Sequence, residues 1–231
     1  MLLEDYYSED DAKITFSRQQ ASDFAKHIAG DFNPIHDPDA KRFCVPGDLL
    51  FSLVLAKCGL SQKMCFVFSG MVNDNVALDF PDTDAAMLDI SDANGKKYLS
   101  LERSGETTRN SDLIRDLTSS YVRFSGHTFP HILVPLMSEQ RVMINPDRPL
   151  VIYESMAIDL DRLDFSDPTL ELTRSLLEVD GKRGNVRLEF CLRSGDEVVG
   201  KGEKAMVISG LRAYDAERVQ AMVDNYASRK Q

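Results

Sequence analysis

An acidic side chain and an imidazole lie five residues apart in the stretch GDFNPIHDPDA, which occupies residues 30–40. Asp31 and His36 are these two titratable groups, and within reach of one water molecule they can share general acid–base work near neutral pH. Directly beyond the loop, residues 47–55 read GDLLFSLVL and are apolar almost all round. The arrangement predicts a site where a proton is moved beside a buried, apolar space.

Two other roles stay open for Asp31 and His36. The pair could contact a ligand without turnover, or it could only order the loop, because an Asp just past a helix end readily makes local hydrogen bonds. Asn33 precedes Pro34, a combination that favours a turn, so the Asn33 side chain is expected to shape the loop.

Two predicted helices hold this loop between them. Ser17 and Gln20 match a capping box and are followed by apolar residues at helical spacing, so the first helix begins at Ser17 and ends at Gly30. The second helix covers residues 48–60, and its apolar residues leave no wide polar face. Such a helix is surrounded by protein and, in a chain rich in strands, is expected to be wrapped by a sheet.

Strand patterns fill most of the remaining chain. Runs of apolar and β-branched residues predict strands at 12–16, 64–68, 85–90, 97–103, 150–160, 170–179, 185–193 and 197–209. The DANG sequence at 92–95 is a hairpin signal between two of them. Clean alternation in 185–193 indicates a half-buried strand. Between 104 and 112 the sequence is polar and predicts a gap followed by a helical segment.

The two halves of the chain share an order of motifs. Pro46 corresponds to Pro130, LDFPD (78–82) to LDFSD (163–167), Gly95-Lys96-Lys97 to Gly181-Lys182-Arg183, and Ser104-Gly105-Glu106 to Ser194-Gly195-Asp196, at a spacing that rises slowly from 84 to 90 residues. This order predicts an internal duplication, with HILVPLM (131–137) as a second apolar helix enclosed by strands. The expected organisation is two halves, 1–112 and 113–211, and a closing amphipathic helix at 212–231; one domain with a long insertion is the alternative.

Charge limits the classes of partner. The 231 residues carry a formal net charge of -10, which repels phosphate backbones and anionic lipid and argues against nucleic-acid and membrane partners. The N-terminus has no signal-peptide pattern and no run is long enough to span a bilayer, so a cytoplasmic location is expected.

Neither the four cysteines nor His127 and His131 predict a metal site. Cys58 and Cys65 are expected to pack as small apolar groups.

The order of strand, helix, GDFNPIH and buried helix beginning with Gly resembles the MaoC-like hydratases, a hotdog-fold group that includes the (R)-specific enoyl-thioester hydratases. The matching loop positions are Gly30, Asp31, Asn33, Pro34 and His36, and residues 196–208 (DEVVGKGEKAMVI) are similar to the closing strands of that fold. The resemblance implies an α+β double hotdog, two antiparallel sheets each wrapped round a buried helix. Over its whole length the chain also resembles a bacterial family of unknown function.

The same resemblance implies an activity. Its substrate would be an acyl thioester carried by coenzyme A or acyl carrier protein, with no cofactor, in a monomer or homodimer. Asp31 and His36 would hold and deprotonate the water that adds across a trans-2-enoyl thioester and return the proton at the α-carbon. The backbone N–H of Gly47, unpaired at a helix start, would bind the thioester oxygen as it gains negative charge.

Asp48 departs from the family pattern, which has an apolar residue there. A carboxylate suits a helix N-terminus. Directed at the thioester oxygen, however, it would oppose the developing charge by about 1 kcal/mol in water and about 4 kcal/mol at an effective dielectric of ~20, for charges ~4 Å apart. Pro46 also stands where the family has a His before the Gly. Both features favour an alternative function, a hotdog protein that binds an acyl or small apolar ligand, or a partner protein, without turnover.

Overall fold

The computed structural model describes residues 3–81 and 83–230. Met1, Leu2, Asp82 and Gln231 lie outside the described residues, and with them the last position of the LDFPD motif. The described chain has an α+β architecture, in which ten strands form one antiparallel sheet and several helices pack against it.

The secondary structure follows in chain order. The helices are α1 (Arg18–Asp23, continued by a π-helical segment at Phe24–Ala29), α2 (Gly47–Cys58), α3 (Ser111–Gly126), α4 (Thr128–His131), α5 (Leu133–Glu139) and α6 (Ala216–Ser228). The strands are β1 (Ser8–Asp10), β2 (Lys13–Thr15), β3 (Leu60–Phe68), β4 (Leu78–Asp79), β5 (Met87–Asp92), β6 (Lys97–Thr108), β7 (Val142–Met143), β8 (Val151–Leu160), β9 (Pro168–Asp180), β10 (Arg183–Ser194), β11 (Glu197–Ser209) and β12 (Arg212–Ala213). Short 3-10 turns cover Leu3–Tyr6 and Pro34–His36. β7 and β12 pair with each other outside the main sheet.

Helix α1 begins and ends where the sequence predicts. The Ser17 hydroxyl accepts a hydrogen bond from the Gln20 N–H, and the Gln20 side chain accepts one from the Ser17 N–H, which completes the capping box. The π-helical continuation stops at Gly30, whose φ of 68° lies in the left-handed region that favours glycine. The chain therefore turns sharply into the loop that carries Asp31 and His36.

Helix α2 is surrounded by protein, as its apolar sequence predicts. Every residue from Asp48 to Leu55 is buried. Phe51 contacts the rings of Phe66 on β3 and Tyr121 on α3, at centroid distances of 5.1 and 4.7 Å. The sheet and α3 therefore both pack on α2, which fixes the position of Gly47, its first residue.

Eight strands of the main sheet follow an order that repeats on the two sides of its centre. The whole sheet reads β1-β2-β4-β5-β6-β3-β8-β11-β10-β9, with β3 and β8 paired at the centre from Lys63↔Asp159 to Val67↔Ser155. Counted outward from this pair, one side runs β3, β6, β5, β4 and the other runs β8, β11, β10, β9. Within each of these two sets of four, counted in chain order, the first strand lies at the centre and is followed by the fourth, third and second. Beyond β4, the side that contains β3 continues with β2 and β1.

The prediction of a second enclosed apolar helix at 131–137 is wrong. His131 ends α4, and α5 begins separately at Leu133, with Pro135 in its first turn where a missing N–H is tolerated. Only Leu133, Leu136 and Met137 of α5 are buried. One face of this 7-residue helix is buried, and it packs on a second, smaller hydrophobic cluster.

The polar stretch at 104–112 is not the predicted gap. β6 continues to Thr108, and α3 begins at Ser111 with the Asn110 side chain as its cap. Residues of this stretch extend the ladder with β3 as far as Leu60↔Thr108. Their side chains are mostly exposed, so polar composition marks an exposed strand end here rather than a loop.

Helix α6 closes the described chain. Val219 and Tyr226 are buried against the rest of the protein, while most of its other residues are exposed. No helix among residues 3–81 and 83–230 is long and apolar enough to cross a membrane.

Truncation of the central aromatic contact is expected to destabilise the fold. Phe51 is 1% exposed, so Phe51→Ala removes ring contacts and leaves a cavity between α2, β3 and α3. The free energy of unfolding should fall by about 3–5 kcal/mol in urea denaturation. Met87→Ala, at a position that is 73% exposed, is the control and should change it by less than about 0.5 kcal/mol. Equal effects of the two substitutions would contradict this description of the core.

Candidate functional site

A cavity of about 900 Å³ lies where the 30–36 loop, the start of α2 and the end of α3 meet strands β8 and β11. Residues of α6 form a further wall. Its polar lining includes Asp31, His36 and Asp48, and Gly47 lines it as well. The cavity is built by both halves of the chain.

Local hydrogen bonds fix the Asp31 side chain. The Asp31 N–H donates to the Ala25 carbonyl at 2.8 Å, at the end of the π-helical segment. Its Oδ1 accepts a hydrogen bond from the Asn33 N–H at 2.9 Å. The Asn33 side chain in turn accepts from the Ile35 N–H at 3.2 Å, so it shapes the turn as predicted. Asp31 Oδ2 takes part in neither loop bond.

The His36 ring is oriented by the backbone. Its Nδ1 lies 2.6 Å from the Cys44 carbonyl oxygen. A carbonyl oxygen can only accept, so Nδ1 carries the proton of the neutral ring and Nε2 is left as a base. His36 Nε2 lies 3.7 Å from Asp31 Oδ2. This separation is too long for a direct hydrogen bond, but both atoms can bond one water molecule between them.

Gly47 sits against aromatic rings at the start of α2. Its N–H has no hydrogen-bond acceptor among the described residues, as expected at the first position of a helix. A Cβ at this position would lie 2.7 Å from Tyr153 Cδ1 and 3.2 Å from Phe68 Cε1. The Phe68 and Tyr153 rings stack on each other at 4.3 Å. Because Gly47 has no side chain, the two rings can lie close to its unpaired N–H.

Asp48 belongs to a buried polar cluster that sequence reasoning missed. Its Oδ2 accepts a hydrogen bond from the Ser125 hydroxyl at 2.5 Å. The Lys204 ammonium donates to the same Ser125 oxygen and lies 4.3 Å from the centroid of the Tyr153 ring. Asp48, Ser125 and Lys204 are only 8%, 4% and 5% exposed. The positive charge of Lys204 therefore faces the carboxylate through one hydroxyl.

The pKa of the Asp48 carboxyl is raised. Burial is the main cause, and the charge of nearby Asp31 adds to it; the Lys204 ammonium and the Ser125 hydroxyl act in the opposite direction without cancelling it. The neutral acid is therefore accessible at higher pH than for an ordinary Asp.

A tyrosine pair extends the cluster toward the core. The hydroxyls of Tyr121 and Tyr153 hydrogen-bond each other. Burial raises the pKa of both groups well above the usual value, and each pKa is raised further by the nearby charge of Asp48. Both hydroxyls therefore stay protonated.

One sequence signal could have found Lys204. In β11 the inward positions are Gly202, Lys204, Met206 and Ile208, so a lysine stands in a register that is otherwise small or apolar. Ser125 gives no such signal, because a serine near a helix end is common on protein surfaces.

Helix α6 is tied to the loop by hydrogen bonds. The Tyr226 hydroxyl accepts from the Phe32 N–H and donates to the Gly30 carbonyl, both at 3.2 Å. Burial raises the pKa of Tyr226 to about 12, with a further contribution from Asp31, so its proton is retained. These bonds hold the cavity wall formed by α6 against the loop.

A second tie lies one residue beyond His36. Asp37 accepts hydrogen bonds from Arg229 at 2.5 Å and pairs with Lys26 at 2.9 Å. Burial of Asp37 opposes its ionisation, but the two cations together hold the pKa of this carboxyl below its usual value. The loop is therefore anchored to α1 and α6 on both sides of the imidazole.

Several candidate residues lie away from the cavity. His127 and His131 are exposed and do not line it. No cluster of three metal-ligating side chains occurs in the described chain. Cys58 is buried as predicted, but Cys65 is exposed, because β3 turns Met64 and Phe66 inward and Cys65 outward.

Comparison with known proteins identifies a family but no activity. A family model described as "Protein of unknown function (DUF3581)" matches residues 1–217. No curated protein matches the chain.

Solved structures give weak similarities. A TesB protein of Mycobacterium avium subspecies paratuberculosis has a TM-score of 0.41 at 8% identity, over 73% of this chain and 89% of its own. The acyl-CoA thioesterase II TesB2 of Mycobacterium marinum has a TM-score of 0.40 at 10% identity, over 92% of this chain and 99% of its own. A conserved protein of unknown function with a hot dog fold from Alicyclobacillus acidocaldarius has a TM-score of 0.47 at 7% identity, over 90% of this chain and 98% of its own. These TM-scores are below 0.5, and nothing is transferred from those proteins to this chain.

Removal of the buried cation is expected to destabilise the protein in a pH-dependent way. Lys204→Met leaves the Asp48 carboxylate buried without its counter-charge, which should lower the free energy of unfolding by about 3 kcal/mol or more at pH 8. Because the pKa of Asp48 is raised in the folded protein, falling pH neutralises the carboxyl and removes this penalty, so the loss should be smaller at pH 5.

The matched control is Lys201→Met, an exposed position on the same strand. It should leave the free energy of unfolding nearly unchanged at both pH values in chemical denaturation. An effect of Lys204→Met that is equally large at pH 5 and pH 8 would contradict the role of Lys204 as counter-charge to Asp48.

Proposed function

This chain belongs to the DUF3581 family of proteins of unknown function, and we propose that it is a lyase-like enzyme that adds water across a trans-2-enoyl thioester or catalyses the reverse reaction. The observation that carries the proposal is the distance of 3.7 Å between His36 Nε2 and Asp31 Oδ2 in a cavity that Gly47 also lines. A base, a partner acid and a free backbone donor are the groups that such an addition needs.

The proposed fold is a double hotdog, with residues 1–112 and 113–211 as its halves and 212–231 as a closing helix. The repeated strand order on the two sides of the β3–β8 pair supports an internal duplication. The burial of α2 from Asp48 to Leu55 supports a sheet wrapped round a central helix in the first half. The second half carries no corresponding Asp-to-His pair, so one site per chain is proposed.

Each group has a defined task in this reaction. The water hydrogen-bonds Asp31 and His36, and His36 Nε2 takes one proton as the water oxygen bonds the β-carbon. The electron pair of the C=C bond then moves toward the thioester, whose oxygen becomes negative beside the Gly47 N–H. A free donor at a helix N-terminus stabilises that charge without reorganisation. A proton added at the α-carbon completes the hydration.

The remaining lining suits an acyl chain. Beyond the polar groups, the cavity wall is formed by apolar side chains that include Phe129, Leu133, Ile144, Met206 and Met222. Apolar walls with a few convergent polar groups are typical of small-molecule sites. A thioester carried by coenzyme A or acyl carrier protein could place its acyl chain there.

The charge of Asp48 does not argue against this chemistry. Its carboxylate oxygen Oδ2 is bonded by Ser125, and Lys204 supplies a positive charge through the same hydroxyl. The pair is therefore close to neutral as a unit, which reduces the repulsion of about 4 kcal/mol expected for an isolated carboxylate at ~4 Å and an effective dielectric of ~20.

The alternative function is ligand binding without turnover. It is favoured by the packing around Gly47, where the Tyr153 and Phe68 rings stand within van der Waals reach of the helix start. Rings in this position could hold an apolar ligand while keeping a thioester oxygen from the Gly47 N–H.

Turnover of enoyl thioesters tests the proposal. Purified protein should hydrate crotonyl-coenzyme A or a longer trans-2-enoyl homologue, measured by loss of the enoyl-thioester absorbance. Asp31→Asn and His36→Gln should each lower kcat by about 100-fold or more, because each removes one member of the acid–base pair. Their melting temperatures should stay close to that of the wild type.

A second Asp–His pair on the surface provides the control. His27 Nδ1 lies 3.9 Å from Asp23 Oδ1, and the His27 side chain is exposed. Asp23→Asn and His27→Gln should therefore leave kcat unchanged. If no enoyl thioester of any chain length is turned over and a fatty ligand co-purifies, the hydratase proposal is wrong and the protein is a ligand-binding protein. If free thiol is released in the same assay, the protein is a thioesterase.

A further inference from the structure

Three charged or polar side chains are buried at one end of the cavity. Asp48, Ser125 and Lys204 come from α2, α3 and β11, and all three line the cavity. Removing a carboxylate and an ammonium from water costs free energy that their mutual attraction only partly offsets. A buried cluster of this kind, in the same cavity as a second titratable pair, is a candidate functional group.

One carboxylate oxygen in this cluster has no partner. Asp48 Oδ2 is bonded by the Ser125 hydroxyl, but Asp48 Oδ1 is buried and has no hydrogen-bond partner among the described residues. Buried polar atoms are nearly always hydrogen-bonded in native proteins. An unpaired carboxyl oxygen is, however, the place where a neutral acid carries its proton. The bond to Ser125 thus fixes one oxygen and leaves the other for a proton.

We propose that Asp48 is the general acid of this site and gives the α-carbon of the thioester its proton, while His36 acts as the base. The proposal rests on the hydratase function proposed above. Asp48 follows Gly47 directly in the first turn of α2, so a thioester oxygen bound at the Gly47 N–H brings the α-carbon to the same end of the cavity as Asp48. Ser125 and Lys204 are positioning residues that hold the carboxyl group.

The proton count closes in this scheme. His36 Nε2 takes a proton from water as the new C–O bond forms, and the C=C electron pair becomes part of the enolate. The enolate re-forms the C=O bond as its α-carbon takes the proton of Asp48, which leaves a carboxylate beside Lys204. Transfer of the His36 proton to Asp48 restores both groups, and the net result is addition of one water.

The two carboxyl groups of the cavity lie in different environments. The Asp31 side chain is 30% exposed, and its Oδ1 accepts the Asn33 N–H. Asp48 is buried, and its pKa is raised chiefly for that reason, which favours its protonated form. A carboxyl group that its environment holds in the neutral form can serve as a general acid.

The test compares Asp48→Asn with the wild type in turnover, binding and pH dependence. An amide cannot give up a proton, so kcat for the enoyl thioester should fall by about 100-fold or more. Binding of saturated butyryl-coenzyme A, measured by calorimetry, should change by less than about threefold, because the apolar walls and the Gly47 N–H remain.

The alkaline decline of kcat/KM in the wild type, caused by loss of the Asp48 proton, should be absent in the variant. Asp89→Asn, on the strand β5 outside the cavity, is the control and should match the wild type.

A double variant separates catalysis from structure. At pH values where Asp48 of the wild type is ionised, Asp48→Asn leaves the Lys204 ammonium buried without a counter-charge, so the variant is expected to lose stability there. Asp48→Asn with Lys204→Met removes both charges, so the melting temperature should recover toward that of the wild type while turnover stays low. Recovery of turnover together with stability would overturn the proposal and leave Asp48 a structural ion-pair partner.

The remaining outcomes distinguish this inference from the function on which it rests. Wild-type turnover with unchanged kcat in Asp48→Asn overturns the role of Asp48 and leaves the hydratase intact. Loss of butyryl-coenzyme A binding in Asp48→Asn makes Asp48 a binding residue and overturns its role as acid. Absence of turnover in the wild type at every chain length overturns both proposals.

Discussion

The hydrogen bond between the His36 ring and the Cys44 carbonyl determines what this site can do. Because that oxygen only accepts, Nδ1 donates, and in the neutral ring Nε2 is the nitrogen that faces Asp31 as an acceptor. Without this hydrogen bond the His36 ring could rotate, and either ring nitrogen could face the cavity. The bond depends on the short loop between His36 and α2, whose return brings Cys44 back to the histidine. Local backbone geometry thus sets the protonation pattern from which the proposed chemistry starts.

The cavity exists because segments from distant parts of the chain close on each other. The loop and α2 come from the first half, whereas Ser125 and Lys204 come from the second, and α6 adds a wall through Tyr226. Gly126 shows how closely these parts approach, since a Cβ there would lie 1.9 Å from the Ala29 carbonyl oxygen. Glycine at that position lets the end of α3 reach the end of the first helix, and it brings Ser125 to Asp48. A site assembled in this way depends on tertiary packing as much as on its own residues.

Sequence reasoning reached the parts of the site that depend on local rules. The capping box at Ser17, the stop at Gly30 and the buried helix beginning at Gly47 follow from short-range chemistry, and all are present. Alternating strands follow from the same kind of rule, whereas the polar composition of a strand end such as residues 104–108 predicts a gap.

The errors arose where distant residues decide the outcome. HILVPLM is apolar enough for an enclosed helix, but the chain divides it between α4 and α5, and only one face packs. Asp48 was recognised as a problem for catalysis, whereas its counter-charge, 156 positions later in β11, could not be paired with it from one sequence. Its partner Ser125 carries no distinguishing pattern at all.

The central claim is that one cavity presents His36 Nε2 and the Gly47 N–H to the same thioester. A crystal structure with bound butyryl-coenzyme A, which cannot be hydrated, tests this most directly. The claim predicts the thioester oxygen about 3 Å from the Gly47 nitrogen, with the β-carbon facing His36 and the acyl chain against the apolar wall. A thioester bound elsewhere, or one kept from the Gly47 nitrogen by the Tyr153 and Phe68 rings, would contradict it.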